Sequence, residues 1–335
     1  MGADRLACQR LDNGGSHVAR TVGIRLLLIV PVLFLVSLGT FQLVSLVPGN
    51  PEVEILGSNA SADDYVRVRS ELGLDKPWLE RYGSWLGKVM HGDLGKNVLP
   101  PVEKVKTKLM RAFPVSLEIA LLAIGLALFL AIPAAMVAAY RPGTWFDRGV
   151  SSTAFAFISV PPFLLGILLK LAFALNWRWL PDSLWVRPSE GGWIENLRHA
   201  VLPVLSVALV EVAVFTRLLR NDLMATLQDD FILAARAKGM RPRHIMTREA
   251  LRPSSFSLVT LAGVSLGRLI GGTVIVEALF GLPGVGAVVV TAAGKKDYPL
   301  VQGGVLIIAA AYVLINVLID ISYAILDPRI RRGRI

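Results

Sequence analysis

Along the 335 residues of this chain, apolar positions do not alternate or recur as narrow stripes; they run together in six long stretches separated by polar segments. A helix rising about 1.5 Å per residue needs about 20 mostly apolar residues to cross a hydrocarbon core of about 30 Å. The stretches 24–47, 113–139, 148–174, 199–219, 255–280 and 303–326 reach that length and predict six transmembrane helices. Around them lie a polar leader at 1–23, a long segment at 48–112, four shorter loops and a tail at 327–335. An even number of crossings puts both termini on one side. The predicted fold class is an all-α membrane protein, with residues 113–326 as a five-helix core following the first span.

The long segment 48–112 carries its own helical pattern. Ser61 with Asp64 three residues on has capping-box spacing, and Gly73 suits the helix end. Pro77 opens a second helix on which Trp78, Tyr82, Trp85 and Val89 share a face, as expected of a helix lying at the membrane surface. After Pro101 a third predicted helix groups Val102, Val105 and Leu109 on one side, away from Lys104 and Lys108. The pattern points to interfacial packing rather than solute contact.

Composition agrees with a membrane class: 54% of residues are hydrophobic and only 18% charged, with a mean hydropathy of +0.58. The formal net charge of +10 raises the question of a nucleic-acid partner, which only its distribution can answer. The leader, 140–147, 217–252 and the tail, with Arg25 and Arg148, hold 18 Lys and Arg, whereas the opposite loops 175–198 and 281–302 hold five. By the positive-inside rule both termini are expected in the cytoplasm. The same inner pieces hold eight carboxylates and so account for the whole excess, while the long outer segment has ten bases against nine acids. The charge reads as topology, and nucleic acid is not expected.

Several chemistries are excluded. Of the Gly-Lys pairs Gly87-Lys88, Gly95-Lys96 and Gly294-Lys295, none is followed by Ser or Thr, and Tyr82, Met90 and Val289 stand where a phosphate-binding loop needs its first glycine, so this chain cannot hydrolyse ATP by itself. His17, His91, His199 and His244 fall in loops or at span ends, without the H-E-x-x-H spacing of a metalloprotease. The single cysteine, Cys8, excludes disulfides, and Arg5 three residues before it spoils a lipoprotein signal. The apolar run after the leader is too long for a cleaved signal peptide and is expected to stay as the first span.

Inside the predicted spans, Gly263, Gly267 and Gly271 recur every four residues and predict a close helix-packing seam. Pro161-Pro162, Pro133 and Pro203 remove backbone donors, which a membrane tolerates where protein or a water-filled path satisfies the freed carbonyls. Glu211 and Arg268 lie near the middle of the fourth and fifth spans, where ionised groups are costly and face the bundle interior. Either they pair and fix packing, or Arg268 with Glu211, Pro161 and Pro162 belongs to a translocation path or gate. Lys170, Glu118, Glu277 and Asp320 lie nearer span ends and are expected to snorkel.

The longest inner loop, 217–252, reads as helix, break, helix. Asp229 or Asp230 can cap a short helix starting near Phe231, small Ala234 and Ala235 sit on it, Gly239 ends it and Pro242 prevents continuation. Paired alanines and a glycine at fixed distance suit docking against another protein, and lipid contact requires neither.

On these residues the chain resembles the permease subunits of bacterial ABC importers, whose signature in this loop is EAA, three residues, then Gly. Leu233-Ala234-Ala235 followed by Gly239 holds that place, with Leu233 for the first Glu and Ser257 near the later proline. The form AARAKG at 234–239 is similar to the dipeptide, oligopeptide and nickel branch. So are Pro48-Gly49-Asn50-Pro51, Leu72-Gly73-Leu74-Asp75-Lys76-Pro77, Gly92-Asp93-Leu94-Gly95 and Val160-Pro161-Pro162-Phe163. Glu277 with Phe280, Pro283-Gly284-Val285-Gly286, Asp297-Tyr298-Pro299 and Asp327-Pro328-Arg329-Ile330 follow the B-type pattern in order. Asn50 departs from the commoner Asp.

The resemblance implies a type I ABC importer permease fold in the bacterial inner membrane, with a cytoplasmic coupling helix. Asp230, Ala234, Ala235, Arg236, Lys238 and Gly239 would be its coupling surface. It implies a second homologous permease, two ABC ATPase subunits that hold ATP and Mg, and an extracytoplasmic substrate-binding protein. The chain itself would bind no cofactor or metal. Peptides are the expected cargo, with a nickel complex, glutathione, an opine or an oligosaccharide as alternatives on the same machinery. An ion-coupled secondary transporter shares broken helices and buried charges, but has no need of a 36-residue docking loop and would show internal symmetry.

Overall fold

The computed structural model describes residues 27, 29–42, 61, 63, 65, 66, 69, 75–98, 100–182 and 184–326. The expected leader, the Pro48–Pro51 and Leu72–Leu74 motifs, the Ser61–Asp64 capping box and the tail from Asp327 lie wholly or partly outside the described residues. Within them the chain is helical, with no strand. Contacts divide it into one unit of Met1–Phe113 with Val288–Ile335 and another of Pro114–Ala287.

In the first unit, helix α1, Ile29–Gln42, is apolar, and α2 spans Trp78–Met90. The aromatic face expected on a helix at the membrane surface packs on α1. Phe41 meets Tyr82 at 5.4 Å between ring centroids and Trp78 at 6.1 Å, while Trp78 stacks on Tyr82 at 5.8 Å. Edge-to-face rings gain from their quadrupoles beyond simple area burial. The buried Tyr82 hydroxyl satisfies its polar end against Ser37 Oγ at 2.8 Å. Gly92, at φ 75°, ends α2 in a conformation that glycine adopts without Cβ strain, and Asp93 accepts from the Gly95 amide.

The third predicted surface helix does not stand apart. Val105 begins helix α3, Val105–Tyr140, which runs without a break through the expected boundary at 113. Val105 and Leu109 are fully buried, and a Cβ on Gly303 would stand 2.6 Å from Val105 Cγ1. Glycine there is what lets the last helix, Tyr298–Leu326, lie against α3. The Asp297 carboxylate accepts from the Val98 amide at 3.2 Å, which gives the Asp297-Tyr298-Pro299 motif a structural task.

In the second unit, α4 covers Trp145–Ser159 and α5 Pro162–Leu169, which continues as a wide π turn through Asn176. The two meet at a bend of 100° at Pro161. The predicted third span is therefore two helices sharply bent against each other, because Pro162 starts a helix well but cannot extend the preceding one. Pro133 and Pro203 break nothing; each sits within a continuous helix. Helix α6, Pro188–Thr226, includes a non-helical Gly192, α7 is Asp230–Ala237, and α8 runs Pro242–Gly272. Thr273 interrupts the expected fifth span, after which come α9, Val274–Phe280, α10, Val285–Gly294, and α11, the last helix.

Among the described residues α3, α6, α8 and α11 are long and apolar enough to cross a membrane, with up to six spans if the bent pairs α4–α5 and α9–α10 each count as one; α1, in the predicted first span, is shorter, and α9–α10 lies largely beyond the predicted fifth. Only Gly267 of the predicted glycine seam is buried, and Gly263 and Gly271 are half-buried. Hydroxyls do much of the α6–α8 fastening. Ser254 meets Thr226 at 2.9 Å, Ser257 meets Asp222 at 2.5 Å and Ser265 meets Glu211 at 2.8 Å.

Candidate functional site

Helix α7 starts one residue after Asp229, whose backbone carbonyl accepts from the Ile232 and Leu233 amides. Asp229 holds the cap position, yet its side chain makes no capping bond. At the other end Gly239 has φ 75°, and the Met240 amide donates to Ala235 O across it. A left-handed residue closing a helix this way satisfies terminal carbonyls and turns the chain sharply.

The two alanines of this helix separate. Ala235 is buried with Ile232, on the side where α7 meets the π turn Ile245–Ala250 that opens α8. Ala234 is exposed, together with Asp230, Phe231, Leu233, Arg236, Lys238 and Gly239. Ala235 thus serves packing within the chain, and the free surface is apolar at Phe231 and Leu233 and basic at Arg236 and Lys238. No atom lies within 4 Å of where a Gly239 Cβ would stand.

Deeper in the same unit, Arg268 on α8 donates from Nη2 to Glu211 Oε1 at 2.5 Å, and Ser265 Oγ donates to the other carboxylate oxygen. The pair is unequally covered: the Glu211 side chain is 2% exposed and that of Arg268 61%. Arg268→Ala is expected to cost about 3–5 kcal/mol, the usual penalty when a buried charge loses its counter-ion. Glu211→Gln added to it should restore most of the loss. Melting temperatures of the three proteins in detergent check this, and an unaltered Arg268→Ala protein would sink it.

Glu277, expected to snorkel, is fully buried. It accepts from Ser116 Oγ at 2.7 Å, Thr273 Oγ1 at 3.0 Å and the Ala287 amide at 2.9 Å, while Ser116 Oγ itself accepts from the Val285 amide. A Cβ on Gly284 would reach the Glu277 carboxylate, and one on Gly286 would stand 3.0 Å from the Val274 backbone. The spacing of Glu277, Gly284 and Gly286 is one buried knot. Lys170 does not snorkel either: it donates to Leu279 O at 3.3 Å, with its ammonium 5.7 Å from the centre of the Phe280 ring. Glu118 is half-buried, and the side chain of Asp320 lies outside the described residues.

Residues 131–332 match the family described as binding-protein-dependent transport system inner membrane component, and residues 18–100 match its N-terminal companion. The chain belongs to this family. It is a multi-pass permease of the inner membrane, and a transport subunit rather than an enzyme. It is 37% identical to a putative peptide transport system permease protein of Brucella abortus (strain 2308), over 90% of this chain and 96% of that one. A di/tripeptide transport system permease protein of Pseudomonas aeruginosa is 32% identical, over 95% and 99% of the two chains. The dipeptide transport system permease protein of Escherichia coli K12 is 31% identical, over 92% and 98%. A solved structure of the MetNI methionine ABC transporter is also similar, at TM-score 0.47 and 20% identity, over 67% of this chain and 95% of that one.

For this permease, sequence reasoning gathered residues that occupy separate places. Asp230 to Gly239 lie on α7, Glu211 and Arg268 join α6 to α8, and Pro161-Pro162 form the bend between α4 and α5. It passed over Asp147. That carboxylate takes the Arg220 guanidinium through Nε at 2.5 Å and Nη2 at 2.8 Å, and the Gly143 amide at 2.9 Å. An Asp three residues after Thr144, a capping position, was the available signal, but helix starts bear acids for many reasons. Among the described residues no cluster of three metal-ligating side chains occurs.

Proposed function

We propose that this permease forms, with a homologous second permease, the passage of an ATP-driven importer for di- or oligopeptides. The peptide cargo is supported by three relatives over at least 90% of the chain whose names specify peptides, di/tripeptides and dipeptides. Both termini and the 217–252 loop face the cytoplasm on this reading, in keeping with the Lys and Arg excess there. An external binding protein delivers the solute, and two ATPase subunits carry ATP and Mg.

The observation that carries the coupling role is α7 itself, a two-turn helix with Phe231, Leu233 and Ala234 exposed beside Arg236 and Lys238. Such a face suits a groove on an ATPase subunit. When ATP draws the ATPase pair together, two such helices approach each other and the bundle passes between inward-open and outward-open states as a bistable body. No bond in the solute is made or broken.

Gly239→Asp tests the contact. The added side chain has open space within this chain, so folding should bear only the left-handed backbone cost of about 1–2 kcal/mol. ATPase co-purification and peptide uptake are expected to fall at least about tenfold, equivalent to about 1.4 kcal/mol of lost docking. Normal uptake together with normal co-purification would overturn the coupling role.

A further inference from the structure

The uneven cover of the Glu211–Arg268 pair carries a consequence for the passage. Along α8 the nearest other charged residue is Arg252, 16 residues away, or about 24 Å at helical rise. In the other direction none occurs before Glu277. Arg268 thus stands four residues before α8 ends at Gly272, within a run free of other charges from 253 to 276. It cannot reach towards a headgroup, because its guanidinium is held by Glu211, itself buried and fixed on its second oxygen by Ser265. Facing hydrocarbon is costly for a guanidinium held in place, about 2.5–3.5 kcal/mol at the centre of a span.

We propose that Arg268 faces a water-filled passage and there receives the terminal carboxylate of the peptide in transit. This rests on the peptide-import reading given above. Glu211 occupies one N–H donor of the guanidinium, and among the described residues Nε and Nη1 meet no acceptor. Those donors suit a carboxylate in shape and charge. Glu211 is a positioning residue: its own charge is buried, so the passage meets the cation. Every linear peptide ends in a carboxylate whatever its side chains, so one fixed guanidinium recognises the class without selecting a sequence.

Two measurements on the full complex in proteoliposomes test this. In a Cys8→Ser/Glu211→Gln background, where no buried charge is stranded, Arg268→Cys is expected to react with a charged, membrane-impermeant thiol reagent; a cysteine that stays unmodified in folded protein overturns the aqueous placement. Because losing the cation alone leaves Glu211 buried and unpaired, uptake is measured in the hydrogen-bonded neutral pair Glu211→Gln/Arg268→Gln and in Arg268→Lys. The ratio of uptake of a dipeptide to that of its C-terminal amide should fall at least about tenfold in the neutral pair and be partly kept in Arg268→Lys. An unchanged ratio overturns the carboxylate contact while leaving peptide import standing. A wild-type complex that carries neither peptide removes the peptide reading, and the carboxylate contact falls with it.

Discussion

Glu277→Ala is expected to empty the membrane fraction of folded protein. The carboxylate has no exposed surface and gathers donors from three places in the second unit: Ser116 on α3, Thr273 ahead of α9 and the Ala287 amide on α10. Without it the Ser116 hydroxyl and the Ala287 amide lose their acceptor at a cost of about 1–3 kcal/mol each. Thr273 retains the Leu269 carbonyl at 3.0 Å and loses less. The vacated space then adds a cavity penalty in a close-packed interior. Together these are a large part of the about 5–15 kcal/mol that typically separates folded from unfolded chains. Glu277→Gln, which keeps one acceptor but turns an NH2 towards a donor, should fall between. Gly284→Ala should resemble Glu277→Ala, since its Cβ would lie 2.6 Å from Oε1. Yield in the membrane and the unfolding midpoint in detergent read the series, and a Glu277→Ala protein matching wild type in both would refute the knot.

Asp147→Ala ranks next. The bidentate contact with Arg220 fastens the start of α4 to α6 about two turns before α6 ends, with the Asp147 side chain 5% exposed and that of Arg220 20%. Removing the acid strands a mostly buried guanidinium and frees the Gly143 amide, for an expected loss of about 3–5 kcal/mol. Arg220→Lys should lose less than Asp147→Ala but more than a surface exchange, since an ammonium cannot make the two parallel contacts. Replacing both residues by leucine should recover most of the stability, because neither charge is then stranded. Thermal unfolding decides, and a double variant as unstable as Asp147→Ala would mean that the pair does more than satisfy itself.

What was legible in advance follows from the range of the forces involved. Apolar runs of 20 residues mark spans because the bilayer demands them wherever the chain goes next, and the helix start after Asp229 and its end at Gly239 are local backbone events. The reading failed where a side chain's partner came from far along the sequence. Glu277 looked like a span-end carboxylate, yet one of its donors is Ser116, 161 residues away. Trp78 and Tyr82 have the periodicity of a surface helix, and periodicity alone could not choose between headgroups and Phe41 as their cover. The glycines at 263, 267 and 271 suggested a seam by spacing, whereas the polar links between α6 and α8 run through Ser254, Ser257, Ser265 and Arg268.

By itself, then, the sequence determined the helical membrane class, the number of apolar stretches, the short helix at 230–237 and, through motifs in a fixed order, the family. Each depends on composition, local backbone preference or shared descent, and none requires knowing which residues meet. Tertiary structure alone decided that Pro161-Pro162 bend the third span by 100° while Pro133 and Pro203 do not break theirs. It decided too that Ala235 turns inward and Ala234 outward, that Glu277 is bound and buried, and that Arg268 keeps an open side while Glu211 does not. The physical reason is common to all four. A proline, an alanine or an ion acts through the groups packed around it, and those come from elements whose distance in sequence says nothing of their distance in space.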